Sequence, residues 1–232
     1  MARPRMQITY RFVFSDGKQE SFAMDFDEKT MAYKPEASSP PPEWARLESN
    51  KCRGCTLKEA ESPFCPVARS LAPVIERFAQ HISFEEADVV VTTPAREYRK
   101  RISLQRGVAA IFGLIMATSG CPVLDKLRPM AFTHLPFADM GETKYRSITM
   151  YLFAQYARAR KGLPADYELK GLEEIYTAVG QVNQDFIKRL RDIDMQDANF
   201  NALAGLDCFC ISDDTVLAFS VDKLERIFAS YL

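Results

Sequence analysis

Residues 6–26, MQITYRFVFSDGKQESFAMDF, contain the pattern that decides the fold of this chain. Apolar residues alternate with mostly polar ones on both sides of a central turn, which is the period of a half-buried β-strand. The Asp16-Gly17 pair between the two runs is a strong hairpin signal. Because an isolated hairpin is only marginally stable, we expect it to pack on the rest of the protein.

Composition divides the chain into three stretches. Residues 1–33 hold the β-hairpin, residues 34–43 form a proline-rich linker, and residues 44–232 contain a cysteine-rich knuckle and a mainly helical body. The apolar run at 88–93 suits a further strand that can join the hairpin's sheet. We therefore expect an α+β fold, with a small antiparallel sheet packed on a larger helical body in one compact unit.

Helices are predicted where apolar residues recur at spacings of three and four. Gly120 and Pro122 provide a strong stop signal after one of them. The predicted helices span residues 71–82, 101–118, 143–159, 172–190 and 221–231.

The overall charge excludes several functional classes. The chain has 30 lysines and arginines against 31 aspartates and glutamates, a net charge of −1, whereas a protein that coats nucleic acid is normally strongly basic. The N-terminus lacks the apolar region of a signal peptide, and the most apolar stretch, residues 108–118, is too short to cross a bilayer. We expect a cytoplasmic protein without a membrane anchor, whose cysteines remain reduced.

The segment around residues 52–66 predicts a metal site. Cys52 and Cys55 have the C-x2-C spacing that turns two sulfurs toward one ion, and Gly54 eases the tight backbone. Cys65, followed by Pro66, supplies a third thiol. The surrounding residues are mostly charged or polar, which does not suit unrelated cysteines buried in a core.

A fourth ligand has to come from elsewhere in the chain. Cys121 is the first candidate because Gly120 and Pro122 hold it at a helix end, and His134 or His81 are the alternatives. Four thiolates favour zinc, and an iron–sulfur cluster is the alternative cofactor. The C-x-C pair Cys208 and Cys210 is interpreted as core, with a metal or redox role as the alternative.

Residues 119–146 concentrate turn residues and charged side chains and predict a ligand pocket. Arg128 and Arg146 can clamp a small anionic ligand, with His134 as proton donor or acceptor and Glu142 on the helix face of Arg146. Cys121 and His134 can alternatively form a nucleophile–base pair. The plain alternatives are a surface Glu–Arg pair and a structural histidine.

The chain resembles an uncharacterised bacterial domain family of unknown function over about residues 44–210. The resemblance implies no established activity and no catalytic residue. The motifs that carry it are C-x2-C…C-P-V-A at 52–68, S-G-C-P at 119–122, R-P-M-A…H-L-P-F at 128–137, E-T-x-Y-R at 142–146, M-Y-L-x-A-Q-Y at 150–156 and D-A-N at 197–199.

Three functional hypotheses follow. The first is a metal-binding protein with a structural zinc site and a ligand pocket. The second is an iron–sulfur or metal-dependent enzyme acting on an anionic small molecule through the same cysteines. The third is a module that binds a protein or RNA through the hairpin and the basic run at 96–101. The sequence predicts no particular reaction and no oligomeric state.

Overall fold

A computed structural model describes residues 5–35, 40–191, 193, 195–207 and 225–232. Part of the proline-rich linker and the Cys208–Cys210 pair lie outside the described residues.

The β-strands form one antiparallel five-stranded sheet among the described residues, in the order β3-β2-β1-β4-β5. The predicted hairpin supplies the first two strands, and the apolar run at 88–93 joins β1 from the other side, as the sequence suggests. The strands are β1 (Arg5–Phe14), β2 (Gln19–Asp27), β3 (Tyr33–Lys34), β4 (Glu86–Thr92) and β5 (Glu97–Ser103).

Six α-helices occur in the described part of the chain, so the predicted α+β class is confirmed. No helix in that part has both the length and the apolar character needed to cross a membrane. The helices are α1 (Pro66–Arg77), α2 (Leu104–Thr118), α3 (Pro129–Phe132), α4 (Met140–Ala159), α5 (Lys170–Leu190) and α6 (Ala198–Asp207).

The sheet buries one face against the helices. Ile8, Tyr10 and Phe12 on β1 have no solvent exposure, in keeping with the alternation in the sequence. Helix α2 approaches the sheet closely at Gly107, where an added Cβ would lie 2.7 Å from Phe12 Cε1 and 3.2 Å from Val89 Cγ2. The missing side chain of Gly107 therefore sets how closely α2 approaches the sheet.

The prediction of a helix from residue 101 is wrong for its first residues. Residues 97–103 form β5, which pairs with β4 after a tight turn in which Thr93 N donates to Arg96 O. The charged residues of this run are exposed along an edge strand, and only Ile102 is buried. The conformation of this run is decided by its ladder hydrogen bonds to β4, which the local sequence does not reveal.

Two helices begin earlier than predicted. Pro66 occupies the first turn of α1 after Cys65 as N-cap, so Pro73 lies inside the helix instead of starting it. Helix α4 begins at Met140 because Asp139 and Glu142 form a capping box.

The predicted helix at 172–190 is confirmed in α5. Of the predicted helix at 221–231, residues 221–224 lie outside the described residues, and Arg226–Phe228 forms one turn of 3₁₀-helix.

Candidate metal centre and ligand cavity

Cys52 and Cys55 lie in a loop, the cysteine excursion (residues 47–63), whose two ends lie side by side. Arg46 and Phe64 form an antiparallel bridge, and Leu47 N donates to Pro63 O while Cys65 N donates to Ala45 O. Cys65 follows the bridge directly and is buried at the start of α1. The tie fixes where Cys65 lies relative to the start of the excursion.

Arg189 on α5 organises the chain that leads to Cys52. Its side chain is 1% exposed and donates hydrogen bonds to four backbone carbonyl oxygens. These are the oxygens of Trp44 (2.8 Å), Arg46 (2.6 Å), Leu47 (3.2 Å) and Asn50 (3.3 Å). In the described residues no carboxylate forms an ion pair with this guanidinium.

Asp185, one turn earlier on α5, holds the C-x2-C turn itself. Its carboxylate accepts hydrogen bonds from Arg53 N (3.0 Å) and Arg53 Nε, and Lys188 Nζ lies 3.0 Å away. Burial would raise the pKa of Asp185, but the hydrogen bonds from Arg53 and Lys188 outweigh burial and lower the pKa to about 2. Helix α5 therefore anchors the cysteine segment at two points.

Cys52 and Cys55 occupy a tight turn in which Cys55 N donates to Cys52 O at 3.0 Å. Cys121 comes from a distant part of the chain, just after α2. Gly120 there has a φ of +93°, which turns the chain sharply at the helix end. The neighbouring backbone N–H groups of Leu124 and Val123 act to lower the pKa of the Cys121 thiol.

Cys52 and Cys121 have raised thiol pKa values, and other cysteines contribute to each rise. Burial raises the pKa of the Cys52 thiol to about 12, and Cys65 and Cys121 add to this rise because a nearby thiolate disfavours a second charge. Burial also raises the pKa of Cys121, where Cys65 and Cys55 act in the same direction. Each of the four predicted cysteines is a free thiol.

The thiols do not yet surround a common point. Within the described part of the chain, no three His, Cys, Asp or Glu side chains form a group that could hold a metal ion as they stand. To bind one, the cysteine side chains would have to rotate toward a shared centre.

The histidine alternatives for the fourth ligand have other partners. His81 Nδ1 lies 2.8 Å from Glu85 Oε2, and its ring stacks on Phe14. His134 Nε2 lies 2.5 Å from the Tyr10 hydroxyl oxygen. Cys121, by contrast, has Cys65 and Cys55 among the groups that act on its pKa.

A cavity of about 440 Å³ lies beside α2. Its walls come from α2, the 124–138 segment, and the inner faces of α4, α5 and α6, and most of the side chains are apolar. The polar residues that line it are Gln105, Arg106, His134, Thr143, Arg146, Tyr176, Asn183 and Asn201.

Arg146 is the partly buried cation of this cavity. One Nη donates to Met130 O at 2.8 Å, while its buried Nε has no hydrogen-bond partner among the described residues. Burial lowers the pKa of Arg146, although the side chain still carries its charge at neutral pH. Burial and the nearby Arg146 together lower the pKa of His134 to about 3, so this imidazole is neutral at pH 7.

Residues 8–229 match the family described as Domain of unknown function (DUF6901). The chain belongs to this family. The match extends beyond the residues 44–210 of the sequence resemblance and includes most of the hairpin. No curated protein and no solved structure matches the chain.

In this DUF6901 protein, the predicted pocket residues do not all meet. His134 and Arg146 line the cavity, whereas Arg128 is not among its lining residues and pairs with Asp125 at 3.2 Å. Glu142 Oε2 accepts from Asp139 N in the capping box, and within the described residues it forms no ion pair with Arg146.

The basic run of this DUF6901 member lies along the edge strand β5. Arg99 Nε lies 2.6 Å from Glu97 Oε1, and Arg101 lies near Asp88 at 3.8 Å. Acidic neighbours thus offset part of the positive charge.

Sequence reasoning missed Arg189, Asp185 and Tyr10. Arg189 and Asp185 lie four residues apart on α5, a helix that was predicted from its apolar residues alone. Tyr10 appears only as one more apolar residue of a strand. A charged residue on the apolar stripe of a helix is the signal that could have found Arg189, since such a residue needs buried partners.

Proposed function

We propose that this protein binds one zinc ion through Cys52, Cys55, Cys65 and Cys121. The ion would be structural and would join the cysteine excursion to the end of α2. The observation that carries the proposal is that sulfurs from separate parts of the chain act on one another: Cys65 and Cys121 add to the rise that burial causes in the pKa of Cys52, and Cys65 and Cys55 act on Cys121 in the same direction. Zinc is the usual ion for four thiolates with tetrahedral geometry.

The local chemistry favours ligation in two further ways. The backbone hydrogen bond from Cys55 N to Cys52 O holds the C-x2-C segment in a turn, which suits two sulfurs that share one ion. The neighbouring N–H groups of Leu124 and Val123 act to lower the pKa of the Cys121 thiol, and such donors stabilise a thiolate.

Arg189 supplies a matching charge. Zinc with four thiolates carries a net charge of about −2, and a negative centre in a partly buried site needs positive neighbours. The Arg189 guanidinium is buried, and it partly opposes the rise in the pKa of Cys52. Among the described residues, its hydrogen-bond partners are carbonyl oxygens. A thiolate centre next to it would compensate its charge.

The test is elemental analysis of protein purified anaerobically from zinc- and iron-supplemented culture, together with a visible spectrum. We expect about one zinc per chain in the wild type and less than about a tenth of that in Cys52→Ser. Cys208→Ser is the control that removes a cysteine outside the proposed set, and it should keep its zinc.

Cobalt substitution provides a second readout. Cobalt bound by thiolates gives strong sulfur-to-metal charge-transfer absorption, which Cys121→Ser should weaken and Cys208→Ser should leave unchanged. A wild-type protein that contains no zinc by elemental analysis and shows no cobalt charge-transfer absorption would overturn the proposal. A brown protein that contains iron would replace zinc with an iron–sulfur cluster on the same thiols, the chemistry of the enzyme hypothesis.

A further inference from the structure

The cavity beside α2 has a composition that selects a particular class of ligand. Its volume of about 440 Å³ lies in the range of roughly 300–1,000 Å³ that is usual for small-molecule sites. Side chains such as Leu114, Leu127, Phe137 and Val179 line most of it. An apolar ligand body would therefore gain from burial there.

The charges around the cavity have one sign. Arg146 lines the wall and Arg106 lies exposed at the rim, while the described lining residues include no aspartate or glutamate. His134 adds a neutral polar group beside Arg146. A negatively charged ligand group therefore meets no repulsion from the lining side chains.

In the part of the chain that the structure describes, Arg146 has no carboxylate partner. Its Nε has no acceptor there, and one Nη donates to the carbonyl oxygen of Met130. Glu142 lies near enough to influence its pKa, but the Glu142 carboxylate caps α4 instead of pairing with Arg146. An unpaired buried donor is costly, and a ligand carboxylate would satisfy it with a charge-assisted hydrogen bond.

We propose that this cavity binds a monocarboxylate with an apolar body, and that Arg146 holds the carboxylate while the walls of α2 and α5 enclose the apolar part. The inference does not depend on the zinc proposal, because no cysteine lines the cavity among the described residues.

Isothermal titration calorimetry with decanoate, below its micelle concentration, tests the site. We expect wild-type protein to bind decanoate and to bind decanol at least about tenfold more weakly, because the alcohol cannot form the charged hydrogen bond. Arg146→Gln should weaken decanoate binding by about tenfold or more. Arg128→Gln is the matched control, since Arg128 lies nearby in sequence but outside the cavity lining, and its affinity should stay within about twofold.

A second variant protects the test against misfolding. Ala109→Phe would fill part of the cavity without removing a charge, and it should weaken decanoate and decanol alike. Circular dichroism and thermal unfolding identify any variant that fails to fold. Absence of decanoate binding to the wild type, equal affinity for decanol, or unchanged affinity in folded Arg146→Gln would each overturn the proposal.

Discussion

The hydroxyl oxygen of Tyr10 lies 2.5 Å from Nε2 of His134, and the two side chains share a hydrogen bond. Tyr10 has no solvent exposure and lies on the inner face of β1, whereas His134 lies in the loop that lines the cavity. This bond therefore connects the core of the sheet to the cavity wall. It gives the cavity loop a fixed position relative to the sheet.

Tyr10→Phe should destabilise the protein by about 1–3 kcal/mol, since it leaves the largely buried imidazole nitrogen without its partner. The free energy of unfolding in urea measures the effect. Tyr98→Phe is the control, because the Tyr98 hydroxyl lies 3.5 Å from the His134 carbonyl oxygen and contributes less. Equal losses in the two variants would contradict the role of the Tyr10 bond.

The stability of the fold should fall as the pH decreases from about 6.5 toward 3. Burial, and then Arg146, lower the pKa of folded His134 to about 3, while the unfolded residue keeps a pKa near 6.5. Between these values the unfolded chain binds a proton that the folded chain does not bind, so acid favours unfolding. Tyr10 shares a hydrogen bond with this imidazole, and burial raises the pKa of Tyr10, so it offers no negative charge at these pH values.

Urea titrations at about pH 7.5 and pH 5 check this dependence. The unfolding free energy of the wild type should drop more between the two pH values than that of His134→Gln. An identical drop in both proteins would exclude His134 as its source.

Arg189→Met should destabilise the protein by about 3 kcal/mol or more, since it removes the buried donor that holds the carbonyl oxygens of Trp44, Arg46 and Leu47. Arg191→Met removes an exposed arginine from the same end of α5 and should change stability by less than about 0.5 kcal/mol. Trp44 is the single tryptophan, and its emission reports directly on the loop that Arg189 holds. Unchanged emission and stability in Arg189→Met would show that the loop does not depend on this arginine.

Asp185→Asn should remove part of the acid sensitivity below pH 4. The folded carboxyl has a pKa of about 2 against an unfolded value near 3.9, so its stabilisation is present above about pH 4 and is lost as the pH falls toward 2. The midpoint of thermal unfolding should therefore decline more steeply in the wild type than in the variant between about pH 4.5 and pH 2.5. Parallel declines would exclude this contribution, and His134 affects both proteins equally.

Gly107→Ala should cost about 1–3 kcal/mol of stability, because the new Cβ would meet Phe12 at 2.7 Å and Val89 at 3.2 Å. Gly113→Ala on the same helix is the matched control. Its Cβ would meet only Leu206 at 3.4 Å, and alanine favours a helix over glycine by about 1 kcal/mol. Urea unfolding of the two variants should give changes of opposite sign or clearly different size.

The sequence predicted elements whose pattern is strictly local. The alternation around Tyr10 and the turn at Gly17 were sufficient to find the hairpin, and the apolar stripe that includes Val179 and Phe186 was sufficient to find α5. The strand at residues 97–103 was not predicted, because pairing with β4 makes these residues a strand and their own composition does not indicate one.

The candidate sites were only partly accessible for the same reason. The cysteines could be found because thiols at short spacing have few other uses in a reduced protein. Arg128 and Arg146 look equivalent in the sequence. In the structure, Arg128 forms an ion pair with Asp125 and does not line the cavity, whereas Arg146 does. The buried roles of Arg189 and Tyr10 depend on partners more than a hundred residues away, which spacing along the chain does not reveal.

The bridge between Arg46 and Phe64 has a practical consequence. Because the two ends of the excursion lie side by side, its outer part can change length while the entry and exit points stay fixed. Residues 58–61 are exposed at that outer part. An epitope or a fluorophore-carrying peptide inserted there would project into solvent, and it would mark the protein without touching the cavity or the helix that anchors the excursion.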